Sequence, residues 1–299
     1  MSEDKTPQTQ IDTDGGAYVE GKVDTRGGDF VGRDQFRIGA LVKIVFGRST
    51  AISPEQARRN REAMLQKVHH DWIDGVLNKS LYREARIDLG LEEQPDAVAH
   101  PWDTIVQEQG RPLRDLVPGT PMGTVFDDLG GALLILGAPG SGKTTLLLEL
   151  AEDLLDRAER DDGHRIPVVF NLSSWAVERK PLAEWLVDEL NQRYDVSRKM
   201  GQAWVDADAI LPLLDGLDEV AQEHREKCAE AINAFRANHG LVPFAVCSRA
   251  EEYKAVTAKL RLSGAILIHP MTHGQVDGYL ARAGQRLTGV REALQAEET

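Results

Sequence analysis

Cysteine is scarce in this chain of 299 residues: only Cys228 and Cys247 occur, and they do not stand at metal-ligand spacing. Both lie in apolar stretches, so they are read as buried thiols of a reducing compartment. Long apolar runs are lacking as well. None approaches the roughly 18–20 residues a bilayer-spanning helix needs, and the N-terminus MSEDKTPQTQ has no apolar signal core. The expectation is a cytoplasmic protein with no membrane partner. Positive charge is in deficit: 35 Lys and Arg stand against 48 Asp and Glu, a formal net charge of −13. Such a surface repels a phosphate backbone, which argues against a general nucleic-acid binder and leaves room only for a local basic groove. What is present is ordinary for a globular protein with a core, 41% apolar and 28% charged residues. By length alone the chain suggests about two domains.

Residues 1–14 are polar and acidic and read as a disordered leader. A Gly-rich element over 15–50 follows. In it Gly15-Gly16-Ala17-Tyr18-Val19-Glu20-Gly21 is echoed by Gly27-Gly28-Asp29-Phe30-Val31-Gly32-Arg33. An aromatic–Val pair between glycines fits a short strand bracketed by tight turns. Two such units serve either as a hairpin-like linker or as a self-association element pairing strand edges between chains. A further strand is expected over 36–47. From Pro54 to about Leu81, the residues Met64, Leu65, Val68, Trp72, Ile73, Val76 and Leu77 recur at helical steps, an amphipathic stripe. The adjacent His69 and His70 point about 100° apart on such a helix and make a poor metal pair. Residues 90–121, with prolines at 95, 101, 112, 118 and 121, read as an irregular connector. Residues 51–119 thus form a helical lead-in and connector.

From Gly130 onward short apolar strands alternate with helices. The strands are expected at Ala132–Leu136, Ile166–Asn171, Ile210–Leu214, Val242–Cys247 and Ala265–Ile268, with helices near 143–158, 181–194, 199–207 and 222–238. Runs this apolar imply an α/β fold, a parallel sheet sandwiched between helical layers. Its chemistry begins at Gly137-Ala138-Pro139-Gly140-Ser141-Gly142-Lys143-Thr144, a full G-x-x-x-x-G-K-[ST] between a strand and a helix. The glycines let backbone N–H groups curl toward phosphate oxygens, and the helix N-terminus adds partial positive charge. Lys143 offers a mobile cation, and Thr144 a hydroxyl for Mg²⁺. Thr145 closes the phosphate-binding run.

The next signal is Asp215-Gly216-Leu217-Asp218-Glu219, where an apolar strand ends in an acid. Asp215 falls at the sheet edge beside the phosphate loop, where it supports the metal. Many P-loop ATPases carry a catalytic glutamate directly after that aspartate. Gly216 has no side chain, so the base must be Asp218 or Glu219. Ser248 and Arg249 end the following strand, where a guanidinium can sense or stabilise a γ-phosphate. Ile166–Asn171 lies in the chain between the phosphate-loop and Asp215 strands. This implies that a third strand separates those two in the sheet, as in ATPases with an additional central strand.

With GAPGSGKTT at 137–145, LPLLDGLDEV at 211–220, CSRAEEY at 247–253 and HPMTHGQVDGYL at 269–280, the sequence resembles the NACHT-domain NTPases of the STAND class, relatives of AAA+ and NB-ARC ATPases, bacterial members among them. The small residue after the metal aspartate, with the acid pair displaced, carries most of the likeness. The resemblance implies a P-loop domain over 120–285 using Mg²⁺ and ATP, with GTP as the alternative. It implies Lys143 and Thr144 on phosphate and metal, Asp215 on the metal, Asp218 and Glu219 activating water, and Arg249 as first sensor. It further implies a slow switch that exchanges ADP for ATP on a trigger and then forms a homo-oligomer, in bacteria as part of defence against phage. Residues 286–299 read as a helical tail, and the lid, winged helix and sensor of the family are expected to be absent or supplied by a partner chain. The competing readings are a non-hydrolysing nucleotide-binding assembly module and a fragment of a longer protein.

Overall fold

Buried apolar runs need partners on both faces and both edges, and the sheet of this protein supplies them. The computed structural model describes residues 52–80, 89–98, 116–117, 119–240 and 242–270. The chain divides into two compact units, Met1–Ala57 and Arg58–Thr299. The leader, the Gly-rich near-repeat, the strand expected at 36–47 and the tail 286–299 all lie outside the described residues.

Six strands form one sheet: β1 (Leu91–Glu93), β2 (Ala132–Gly137), β3 (Ile166–Asn171), β4 (Ile210–Asp215), β5 (Phe244–Arg249) and β6 (Gly264–Ile268), in the order β1-β6-β2-β5-β4-β3. Neighbours run parallel except β1, which is antiparallel to β6. The strand separating β2 from β4 is β5, as an additional-strand ATPase sheet requires, while β3 lies outermost beyond β4. Every residue of β2 is buried, and so are all but the last residues of β3, β4 and β5. These are strands enclosed on both faces, as their composition demands.

The helices are α1 (Pro54–Val68), α2 (Met122–Asp128), α3 (Lys143–Arg160), α4 (Trp175–Glu178), α5 (Leu182–Tyr194), α6 (Arg198–Asp206), α7 (Gln222–His239) and α8 (Ala250–Lys254). From β2 to β3 the chain crosses the sheet one way; from β3 to β4 and from β4 to β5 it returns. Right-handed crossovers therefore put α3 on one face and α5 and α7 on the other. Helix α3 buries Leu146, Leu147, Leu150, Ala151, Leu154 and Leu155 against the sheet side, at helical spacing.

Three expectations need correction. The lead-in helix does not continue as one regular stripe, because His69–Leu77 is a π-helical turn closed by Asn78 N–H donating to Ile73 O at 2.7 Å. The wider turn keeps Ile73 and Leu77 buried but rotates Val76 out, to 43% exposure. Residues 90–121 are not irregular throughout, since Leu91–Glu93 pairs with Ile266–Ile268 as an edge strand. Three residues are too few for a legible period-two pattern. The fifth strand starts at Phe244 rather than Val242. Pro243 has no N–H for a ladder, and the Phe244 N–H makes the first bond, to Gly131 O at 2.8 Å. The shift carries Ser248 and Arg249 into the strand, with Arg249 level with Gly137 of β2.

The outer strand β3 is closed by side chains. Tyr194 at the end of α5 donates its hydroxyl to Val169 O at 2.5 Å and accepts from Trp72 Nε1 at 2.8 Å. Burial pushes the phenol pKa up, so it stays a neutral donor. Tyr194→Phe leaves an edge carbonyl and an indole N–H without their partner. The expected loss is about 1–3 kcal/mol in chemical denaturation, and an unchanged midpoint would show that this edge contact contributes nothing.

Candidate functional site

The C-terminal ends of β2, β4 and β5 bring the sequence-flagged residues together. β2 delivers the loop Gly137–Gly142 to the start of α3. Gly140 and Gly142 have φ of +70° and +95°, a left-handed backbone that side-chain-bearing residues avoid. At Gly137 a Cβ would stand 2.3 Å from Ser141 Oγ and 3.2 Å from Ile268 Cβ, so a side chain there would require Ser141 to move. Ala138, Pro139 and Gly140 form its exposed rim. Lys143 folds back over the loop, its Nζ donating to Ala138 O at 2.8 Å and Gly137 O at 3.2 Å. Gly142 caps α3 without any side-chain bond, so the first-turn N–H groups face outward, ready for an anion. Ser141 Oγ is buried with no hydrogen-bond partner among the described residues. A glycine cradle, an uncapped helix start and an orphaned hydroxyl suit a phosphate chain.

β4 ends in Asp215, whose Oδ2 accepts from Thr144 Oγ1 at 2.8 Å. Gly216 then turns the chain with φ +77°, and the Glu219 carboxylate folds back over it. A Cβ at Gly216 would lie 2.8 Å from Glu219 Cδ and 2.9 Å from its Oε2. Glu219 therefore fills the space in which a side chain at 216 would begin. Its Oε2 also accepts from Asn171 Nδ2 at 3.1 Å. Asn171 is fixed in turn, its Oδ1 accepting from Ser173 N at 2.8 Å.

Asp218 is occupied differently. Its Oδ1 accepts from the Arg249 backbone N–H at 3.0 Å, its Oδ2 lies 2.8 Å from Arg249 Nε, and its side chain is 7% exposed. Arg249 Nη1 also reaches Glu252 Oε1 at 3.4 Å. Arg225 braces the turn from behind, donating to Asp218 O and Val220 O. The two acids that the sequence left interchangeable thus differ: Asp218 grips Arg249, while Glu219 lies over the turn. Asn171 and Arg225 escape sequence reading, because nothing in a strand-end Asn or a helix Arg announces its target. Thr145 is half-buried in the first turn of α3.

A family model described as NACHT domain matches residues 132–282. No curated protein matches the chain significantly. Among solved structures, a chain in the structure of Drosophila ORC bound to DNA aligns at TM-score 0.36 and 15% identity, over 62% of this chain and 56% of that one. The chain thus spans a little over half the length of that relative.

Oxygen donors of one hydroxyl and one carboxylate fit a hard cation such as Mg²⁺, which takes few protein ligands and keeps waters and substrate phosphates. Thr144 and Asp215 are the residues that could hold it. Burial pushes the Asp215 carboxyl pKa above the usual range; its bonds from Thr144 and Gly216 oppose this, while Glu219 and Asp218 add like charge. A cation needs the ionised form, so protons compete with it. Mg²⁺-dependent nucleotide affinity is therefore expected to fall on acidification with a midpoint above that of an ordinary aspartate, about 3.9, in a fluorescence titration run across pH. A midpoint at or below that value would contradict the assignment of Asp215.

Proposed function

The chain belongs to the NACHT domain family of P-loop NTPases, and on that premise we propose that it binds ATP with Mg²⁺ and hydrolyses it slowly as a signalling switch. The observation that carries this reading is the Glu219 carboxylate lying over Gly216, the residue after Asp215, whose own carboxylate accepts from Thr144 at the start of α3. Lys143 exchanges its bonds to Gly137 O and Ala138 O for phosphate oxygens when nucleotide enters. The backbone N–H groups of the loop and the start of α3 take up the remaining phosphate charge. Mg²⁺, when bound, neutralises charge on the phosphate oxygens.

In this proposal Glu219 is the general base, accepting a proton from the attacking water, and Asn171 sets its direction. Asp218 is a positioning residue: both of its oxygens are engaged by Arg249, which it holds at the sheet edge level with Gly137. Arg249 then senses the γ-phosphoryl, whose loose transition state is stabilised mainly by placement and charge. ATP is preferred over GTP on the family reading alone. Self-assembly on ATP binding, and a role in bacterial defence, are part of the same proposal.

Lys143→Ala is expected to abolish nucleotide binding in an equilibrium titration; unchanged affinity would remove the reading. Glu219→Gln should keep affinity and lower single-turnover hydrolysis by about 10²–10⁴-fold. Asp218→Asn should weaken hydrolysis less, because an amide still accepts from the Arg249 backbone N–H. The reverse ranking of the two variants would exchange their roles.

A further inference from the structure

A second polar site lies at the opposite end of the sheet from the phosphate loop. The segments entering β2, β5 and β6 and the C-terminal end of α7 line a solvent-open cavity of about 450 Å³. Its floor is bare backbone: Gly130 and Gly131 have φ of +75° and +70°. A Cβ on Gly130 would come 3.2 Å from the Cβ of Ser263, another residue of the lining. The left-handed backbone is what calls for glycine at both positions.

Arg236 of α7 lines this cavity and is only 8% exposed. It donates Nη1–H to Val242 O and Nε–H to Arg261 O, the latter at 3.4 Å. Carbonyls satisfy hydrogen bonds but leave the charge unpaired, and a buried charge ordinarily has a counter-ion. Burial lowers the guanidinium pKa. Arg261 lines the same cavity. Asn233 Oδ1 anchors its backbone N–H at 2.7 Å, while its exposed side chain makes no ion pair among the described residues. Among the described lining residues there is no acid. In a chain of net charge −13, two guanidiniums with no acid among the described lining residues run against the overall charge.

We propose that this cavity binds a small ligand bearing an oxyanion, a phosphate or carboxylate group, held between Arg236 and Arg261. The guanidinium fork suits either group in bidentate geometry. The Ser263 hydroxyl is a further donor on the same wall. The size of the cavity matches a small metabolite rather than a macromolecular surface. The site is separate from the phosphate loop and does not rest on the nucleotide reading.

The test uses the full chain carrying Lys143→Ala, which disables the phosphate loop, titrated calorimetrically with inorganic phosphate and with citrate against a sodium chloride control. Saturable binding of at least one anion is expected. Adding Arg261→Glu, at an exposed position, should weaken it at least about tenfold. Arg236→Lys, which keeps the charge but loses the fork, should weaken it too. Phosphate alone binding would mark a phosphate ligand, and citrate alone a carboxylate ligand. Absence of binding by both anions, or binding indifferent to Arg261→Glu, would overturn the proposal. So would loss of nucleotide affinity in Arg261→Glu with the phosphate loop intact, since the two sites would then not be separate.

Discussion

Glu219 sits over Gly216 so closely that one added carbon at position 216 would stand 2.8 Å from its carboxyl carbon. That contact depends on a left-handed turn at the end of β4, and much of the site depends on that turn. It sends Asp215 toward Thr144 and the phosphate loop. It brings Glu219 back within reach of Asn171 on the outer strand. It also drops Asp218 beside Arg249 at the end of β5. Three acids within five residues would repel one another if left together in low dielectric. Here each is given its own donor, a hydroxyl from α3, an amide from β3 or a guanidinium from β5, and the repulsion is spread.

The sheet supplies the geometry that this turn needs. Because β5 lies between β2 and β4, Arg249 is level with Gly137, and Asp215 faces the start of α3 from the next strand but one. The edges are closed by modest devices: a three-residue antiparallel strand on one side, and Tyr194 with Trp72 on the other. At the far end of the sheet the polar arrangement inverts. There Arg236 lies buried with no acid beside it among the described residues, whereas the phosphate-loop end gathers carboxylates.

The sheet was legible in the sequence because fully enclosed strands leave unbroken apolar runs, and the phosphate loop because its glycines and lysine stand at fixed offsets. β1 was hidden by its length and by the prolines around it, and Val76 by a π turn that changes the helical period. The division of labour between Asp218 and Glu219 could not be read from spacing. It depends on Arg249, 31 positions further along the chain, and on Asn171 of β3, 48 positions earlier, partners that only the folded sheet brings near. Arg236 was invisible for a similar reason: an arginine on an amphipathic helix reads as solvated until its neighbours are known.

The proposal stands or falls on whether the glycine at 216 exists to let Glu219 act. The direct measurement is single-turnover ATP hydrolysis by Gly216→Ala, together with its nucleotide affinity. The account expects affinity close to wild type and hydrolysis lower by about 10²-fold or more, because the methyl group displaces the carboxylate. Hydrolysis at the wild-type rate would contradict it.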